Sequence, residues 1–152
     1  MRILVVSDSH GDVDALNAAV RRESPDSILH LGDLLRDARA MDAGGAPLLC
    51  VPGNCDWGAK EPAILTPELA GKRFYMTHGH LHGVKTQYMR ILYAALEAQA
   101  DVLVFGHTHR PECFFQRGIW VLNPGPCNAW GSYGLVDIQG TEITCCVKSV
   151  NT

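Results

Sequence analysis

Apolar and polar positions fall into blocks along the chain. Arg2-Ile3-Leu4-Val5-Val6 is a continuous β-branched run, which predicts a buried parallel strand over 2–6. The run breaks at Ser7-Asp8-Ser9-His10-Gly11-Asp12. Val13, Leu16 and Val20 then recur at helical spacing, predicting a helix over 13–22 with Asp12 as its N-cap. The unit repeats: a strand over 27–31 ends at Gly32-Asp33, and a helical stretch over 35–42 follows. A third strand over 47–51 ends at Pro52-Gly53-Asn54-Cys55-Asp56. In the middle, 63–66 and 73–77 read as strands around a turn at Ala70-Gly71, the second ending at His78-Gly79-His80-Leu81-His82. The clearest helix covers 85–98, with Tyr88, Ile91, Leu92, Ala95 and Leu96 on one face. The strand over 102–105 runs into Gly106-His107-Thr108-His109, and four more strands are predicted over 112–116, 119–122, 135–138 and 142–147. Alternating strand–helix units followed by antiparallel strands imply an α/β (α+β) fold with two mixed β-sheets and outer helices.

Five of these predicted strands, over 2–6, 27–31, 47–51, 73–77 and 102–105, are followed by polar side chains able to bind a metal. Collected, these are Asp8, His10, Asp33, Asn54, His78, His107 and His109. Open α/β sheets place their sites at the carboxyl ends of strands, so the set converges if the strands share an end. Residues two apart on an extended chain share a face, so His107 and His109 can turn to one point. No cysteine pair has zinc-finger spacing, which argues against a structural thiolate site.

At 152 residues the length fits one domain over 1–152 with a sizeable core. Hydrophobic residues are 47% and charged residues 19%, and the net charge is −3. No basic nucleic-acid-binding face is expected from that balance. No apolar run is long enough for a signal peptide or a membrane span, so the expectation is a cytoplasmic protein without membrane partners. The six cysteines, lacking a Cys-x-x-Cys pair, read as reduced thiols.

Asp8-Ser9-His10, Gly32-Asp33, Gly53-Asn54-Cys55-Asp56, His78-Gly79-His80 and Gly106-His107-Thr108-His109, in this order, resemble the motifs of the calcineurin-like metallophosphoesterases. The likeness is greatest to their small YfcE-type phosphodiesterase branch, and Asn123-Pro124-Gly125 extends it. The resemblance implies a four-layer αββα sandwich and a metal-dependent phosphodiesterase. Asp8, His10, Asp33 and His109 would hold one metal; Asp33, Asn54, His78 and His107 would hold the second, with Asp33 bridging. Oxygen and imidazole donors suit Mn²⁺ first, with Ni²⁺, Fe²⁺, Co²⁺ or Zn²⁺ as alternatives, over Cu⁺ or Ca²⁺. The implied reaction is attack on a small phosphodiester by a metal-bridging hydroxide, with Asn54 helping to neutralise the phosphoryl group. Cys55 stands where most of the family has a histidine that protonates the leaving group. The branch also implies a homodimer or homotetramer.

Two rivals remain at this stage. One is a catalytically weak scaffold of the same fold acting through protein contacts, like the retromer subunit; the filled ligand set opposes it. The other is a metallo-β-lactamase-type enzyme, suggested by His78-x-His80-x-His82 but lacking the Asp-His that follows that pattern. Among the remaining polar and aromatic residues, His30 reads as packed inside its strand or lying behind the ligands. His80 reads as bordering the site, and His82 as surface. Asp56 reads as either an orienting carboxylate or a turn residue. Asp12, Asp14 and Asp37 read as caps or solvated residues, and Asn123-Pro124-Gly125 as a turn. Trp57, Trp130 and Tyr133 read as core or rim packing in preference to cleft walls.

Overall fold

The computed structural model describes residues 1–151. The strands are β1 (Arg2–Val6), β2 (Ser27–His30), β3 (Leu48–Cys50), β4 (Ile64–Leu65), β5 (Glu68–Leu69), β6 (Lys72–Thr77), β7 (Val102–Val104), β8 (Glu112–Gln116), β9 (Ile119–Asn123), β10 (Ser132–Gln139) and β11 (Glu142–Ser149). The helices are α1 (Val13–Glu23), α2 (Leu35–Ala40) and α3 (Met89–Glu97), with a 3₁₀ turn at His80–His82. One sheet has the order β11-β10-β1-β2-β3; the other runs β4-β6-β7-β9-β8, with β5 paired to β6. β1, β2 and β3 are parallel, as are β6, β7 and β9, whereas β10 meets β1 antiparallel.

The period-2 alternation of each strand builds the layers. Ile3 and Val5 of β1, Phe74 and Met76 of β6, and Val102 and Val104 of β7 face one another in a core between the two sheets. Leu4 and Val6 point the other way, onto Leu16, Ala19 and Val20 of α1. Tyr75 and Leu103 point outward on the second sheet, onto Ile91, Leu92 and Ala95 of α3. Three apolar layers thus separate helix, sheet, sheet and helix, the expected αββα arrangement. Strands that pack on both faces read as unbroken apolar runs, which is why β1 carries four fully buried residues in succession.

The departures from expectation are local. The helix expected from residue 85 begins at Met89, because Thr86 folds back on Gly83 through both its amide (3.0 Å) and its hydroxyl (2.9 Å) to the Gly83 carbonyl. The Ala70-Gly71 turn joins β5, not β4, to β6, both turn residues having positive φ. The strand expected at 135 begins at Ser132. All six cysteines are free thiols, and no helix among the described residues is long and apolar enough to cross a membrane.

Candidate metal centre

The loops leaving β1, β2, β3, β6 and β7 meet at one end of the two sheets. They are tied together by backbone bonds: the Asp8 amide donates to the Gly32 carbonyl (2.9 Å), His10 to Asp33 (3.2 Å) and Gly106 to His78 (2.9 Å). Two glycines make this closeness feasible. A Cβ on Gly53 would stand 2.0 Å from an Asp33 carboxylate oxygen, and one on Gly106 would stand 2.1 Å from the Ser7 hydroxyl and 2.7 Å from Asp8 Oδ2. Asp8, His10, Asp33, His107 and His109 all adopt positive φ, between 43° and 69°. Non-glycine residues held there by their surroundings cluster at functional sites, so the strain itself marks this cluster.

Each of the two buried carboxylates has one oxygen held by the protein and one turned inward. Asp8 Oδ2 accepts from the Ser7 hydroxyl (2.6 Å) and the His107 amide (3.1 Å), while Oδ1 faces His109 Nε2 at 3.1 Å, His78 Nε2 at 3.8 Å and His10 Nε2 at 3.9 Å. Asp33 Oδ1 accepts from the Cys55 amide (2.9 Å), while Oδ2 faces His78 Nε2 at 3.4 Å and His10 Nε2 at 3.8 Å. His78 is fully buried, and its Nδ1 lies 2.7 Å from the Leu31 carbonyl oxygen. A carbonyl only accepts, so Nδ1 carries a proton and the ring presents Nε2 to the carboxylates, where it would be free to ligate a bound metal. Asn54 Oδ1 lies 3.0 Å from the same Nε2. The ring of His107 stands edge-on to His78, centroids 5.0 Å apart, and the ring of His10 stands 5.5 Å from that of His109.

The electrostatics call for a cation. Asp8 and Asp33 are 1% and 2% exposed, and among the described residues their only cationizable partners are histidines. Burying two carboxylates without a fixed positive charge is costly. Burial works to raise the Asp33 carboxyl, but the His78 contact and the Cys55 amide outweigh it and hold it far below the usual carboxylate range. Burial likewise works to lower His78, and Asp33 and Asp8 overcome it, so its proton is held more tightly than usual. His107 is pushed down to about 4, by burial first and then by the neighbouring His78 and Lys85, which leaves its imidazole neutral. The Cys55 thiol is pushed up, by burial and then by Asp33. Donor atoms of Asp8, His10 and His109, of Asp8, Asp33 and His78, and of His10, Asp33 and Cys55 each gather within 4.8 Å. The donor set thus fits divalent metal ions. His107 adjoins these groups without belonging to one, and Asn54 Oδ1 stands 3.0 Å from the His78 Nε2 of the second.

Around the inner residues lies a ring of anchors. His30, pushed down to about 4 by burial, sits between the Ser9 hydroxyl (3.2 Å) and the Gly32 amide (3.1 Å), the supporting position expected of it. Asp56 accepts from the amides of Asp33 (2.9 Å), Gly53 (2.8 Å) and Leu35 (2.8 Å), so it is an orienting carboxylate. Asp37 is not a solvated helix residue: it is buried and takes bonds from the Ser9 hydroxyl (2.8 Å) and the Gly11 amide (2.7 Å). Asn123 is more than a turn residue: its Nδ2 donates to the Gly106 carbonyl (3.2 Å) and the Thr108 hydroxyl (2.9 Å), fixing the loop that carries His107 and His109. Asp12 does cap α1, through the Ala15 amide at 3.0 Å. His82 is half-buried, with Nε2 3.1 Å from the Tyr75 hydroxyl, and His80 borders His78, ring centroids 5.5 Å apart. Tyr133 is core, whereas Trp57 and Trp130 are 91% and 87% exposed and belong to no core.

A two-sheet α/β sandwich with buried carboxylates and imidazoles converging at its strand ends defines a candidate metal centre of hydrolase type. Residues 1–141 match the family model of the calcineurin-like phosphoesterase superfamily domain, and the chain belongs to that family. A probable metallophosphoesterase of Bacillus subtilis, YsnB, is 36% identical over 131 residues, covering 82% of this chain and 74% of that protein. The phosphodiesterase YfcE of Escherichia coli K12 is 29% identical over 168 aligned positions, covering 90% and 88%. The crystal structure of a predicted phosphoesterase from Streptococcus pneumoniae superposes with a TM-score of 0.81 at 27% identity, covering 99% of this chain and 90% of that one. Chaetomium thermophilum Vps29 shares the fold, with a TM-score of 0.77 at 24% identity, covering 96% and 87%.

Proposed function

We propose that this chain hydrolyses small phosphodiesters at a centre of two divalent transition metals, Mn²⁺ first among the ions its donors suit and Ni²⁺, Fe²⁺, Co²⁺ or Zn²⁺ after it. Asp8, His10, Asp33 and His109 would hold one ion, and Asp33, Asn54, His78 and His107 the other, with Asp33 shared. The observation that carries this reading is the pair of buried carboxylates with inward-turned oxygens and no Lys or Arg partner among the described residues. Such ions, when bound, would supply Lewis-acid chemistry, lowering the pKa of water toward about 7 and neutralising phosphoryl charge.

The chain's own residues then have defined parts. Ser7 and the amides of His107 and Cys55 orient the two carboxylates. The Leu31 carbonyl fixes the His78 tautomer. The Asn54 amide group, beside His78, would donate to a phosphoryl oxygen as charge builds up. Cys55, exposed and with its thiol pKa raised, would adjoin the departing group and be a weak acid for that task. A cytoplasmic location and a homodimer or homotetramer belong to the same proposal.

The rival reading is the scaffold, and the likeness to Vps29 in fold favours it. Metal-stripped protein reloaded with Mn²⁺ and given bis-p-nitrophenyl phosphate, beside p-nitrophenyl phosphate, separates the two. Metal-dependent turnover of the diester over the monoester is expected; no turnover of either, with metal bound, would move the assignment to the scaffold.

A further inference from the structure

Beside the centre lies a cleft of about 690 Å³, within the range of small-ligand sites. It is lined by Cys55, whose thiol gathers with His10 and Asp33, by Trp57, by Arg36 and Arg39 of α2, and by Lys60. Trp57 is the unusual element. Its ring is 91% exposed, yet its indole Nε1 donates to the Asn54 carbonyl at 3.1 Å. An aromatic face is thus held by the same loop that places Asn54, with none of the burial that normally justifies a tryptophan. The charges on the cleft wall are not balanced. Arg39 is paired with Glu61, and Asp56 is committed to three backbone amides. Arg36 and Lys60 have no carboxylate partner among the described residues, in a chain whose net charge is −3.

We propose that this cleft is the specificity subsite of the centre and takes the nucleoside side of a nucleotidyl phosphodiester, its base stacked on Trp57 and its anionic backbone drawn by Arg36 and Lys60. A fixed aromatic plane with unpaired cations nearby is the chemistry that holds a base and a phosphate together. What happens to the ligand rests on the hydrolase reading above; that the cleft binds it does not.

The test is calorimetric binding of AMP and of inorganic phosphate to the Mn²⁺-loaded protein. The wild type is compared with Trp57→Ala, Trp57→Phe, Trp130→Ala and the Arg36→Gln/Lys60→Gln double variant. AMP is expected to bind about tenfold more tightly than phosphate. That advantage disappears in Trp57→Ala and survives in Trp57→Phe and Trp130→Ala. The double variant weakens AMP and lowers its salt dependence. Equal affinity for AMP and phosphate in the wild type, or an advantage untouched by Trp57→Ala, overturns the proposal. So does a change of oligomeric state in Trp57→Ala, which would make the cleft an interface between copies. Failure of diester hydrolysis with the AMP advantage intact would strike the proposed reaction and leave the subsite standing.

Discussion

At the scale of single residues, the centre depends on anchors that hold the backbone around its inner carboxylates. Asp56 holds the amides of Asp33, Gly53 and Leu35 with one carboxylate. Asp56→Ala should cost about 1–3 kcal/mol for donors left unpaired, and a loosened Asp33 should lower turnover by about 10²-fold. Asp56→Asn, which keeps one acceptor, should recover part of both; thermal melts and diester hydrolysis check this, and wild-type values for Asp56→Ala would contradict it. Cys55 gives a prediction of opposite sign. Its raised pKa keeps it a neutral, weak acid. Cys55→His should therefore speed diesters with alkyl leaving groups, toward the 10²–10⁴-fold typical of general acid catalysis, and leave nitrophenyl esters little changed. An unchanged or lower rate on the alkyl esters at intact metal content would contradict it. The seven candidate ligands could be singled out in the sequence because each lies one to four residues past the end of an apolar run. Asp37 and Asn123 were not, since their partners lie 26 to 28 and 15 to 17 residues away and only the folded loops bring them together.

At the scale of elements, strands and α1 announced themselves through burial on both faces and through a clear cap. Asp12 has a second partner that the local pattern could not show: its Oδ2 also accepts from the Ala129 amide at 2.9 Å. Asp12→Ala should lower stability by about 0.5–2 kcal/mol, the cost of a lost N-cap, with metal content preserved. A melt unchanged from wild type would show that the cap is dispensable. The start of α3 was misread because the amphipathic stripe from Tyr88 to Leu96 is real, whereas Lys85-Thr86-Gln87 are polar and equally compatible with a turn. The Gln87 side chain, accepting from the Arg90 amide at 3.1 Å, does the work of a cap from outside the helix. Likewise β5 has two residues, too few to carry a period of its own.

At the scale of the whole molecule, two sheets bring five loops to one end, and the price is a knot of negative charge in a buried place. That five parallel-strand loops would converge could be argued from the strand–helix alternation; which strands neighbour which, with β10 beside β1, is set by pairs as distant as Arg2 and Asp137 and has no local signal. Bound metal should therefore stabilise the fold as well as act in it. Excess Mn²⁺ at about 100 times Kd should add about 2.7 kcal/mol, or about 5–10 °C in Tm for a chain of this size. Equal melting with Mn²⁺ and with EDTA would contradict that. The most direct measurement of the central claim is metal content per chain against diester hydrolysis, for the wild type and Asp33→Asn during Mn²⁺ titration. The account predicts activity that saturates at two ions per chain, and a variant that binds fewer and turns over nothing. Full activity at one ion per chain, or an Asp33→Asn variant that keeps both ions and its rate, would contradict it.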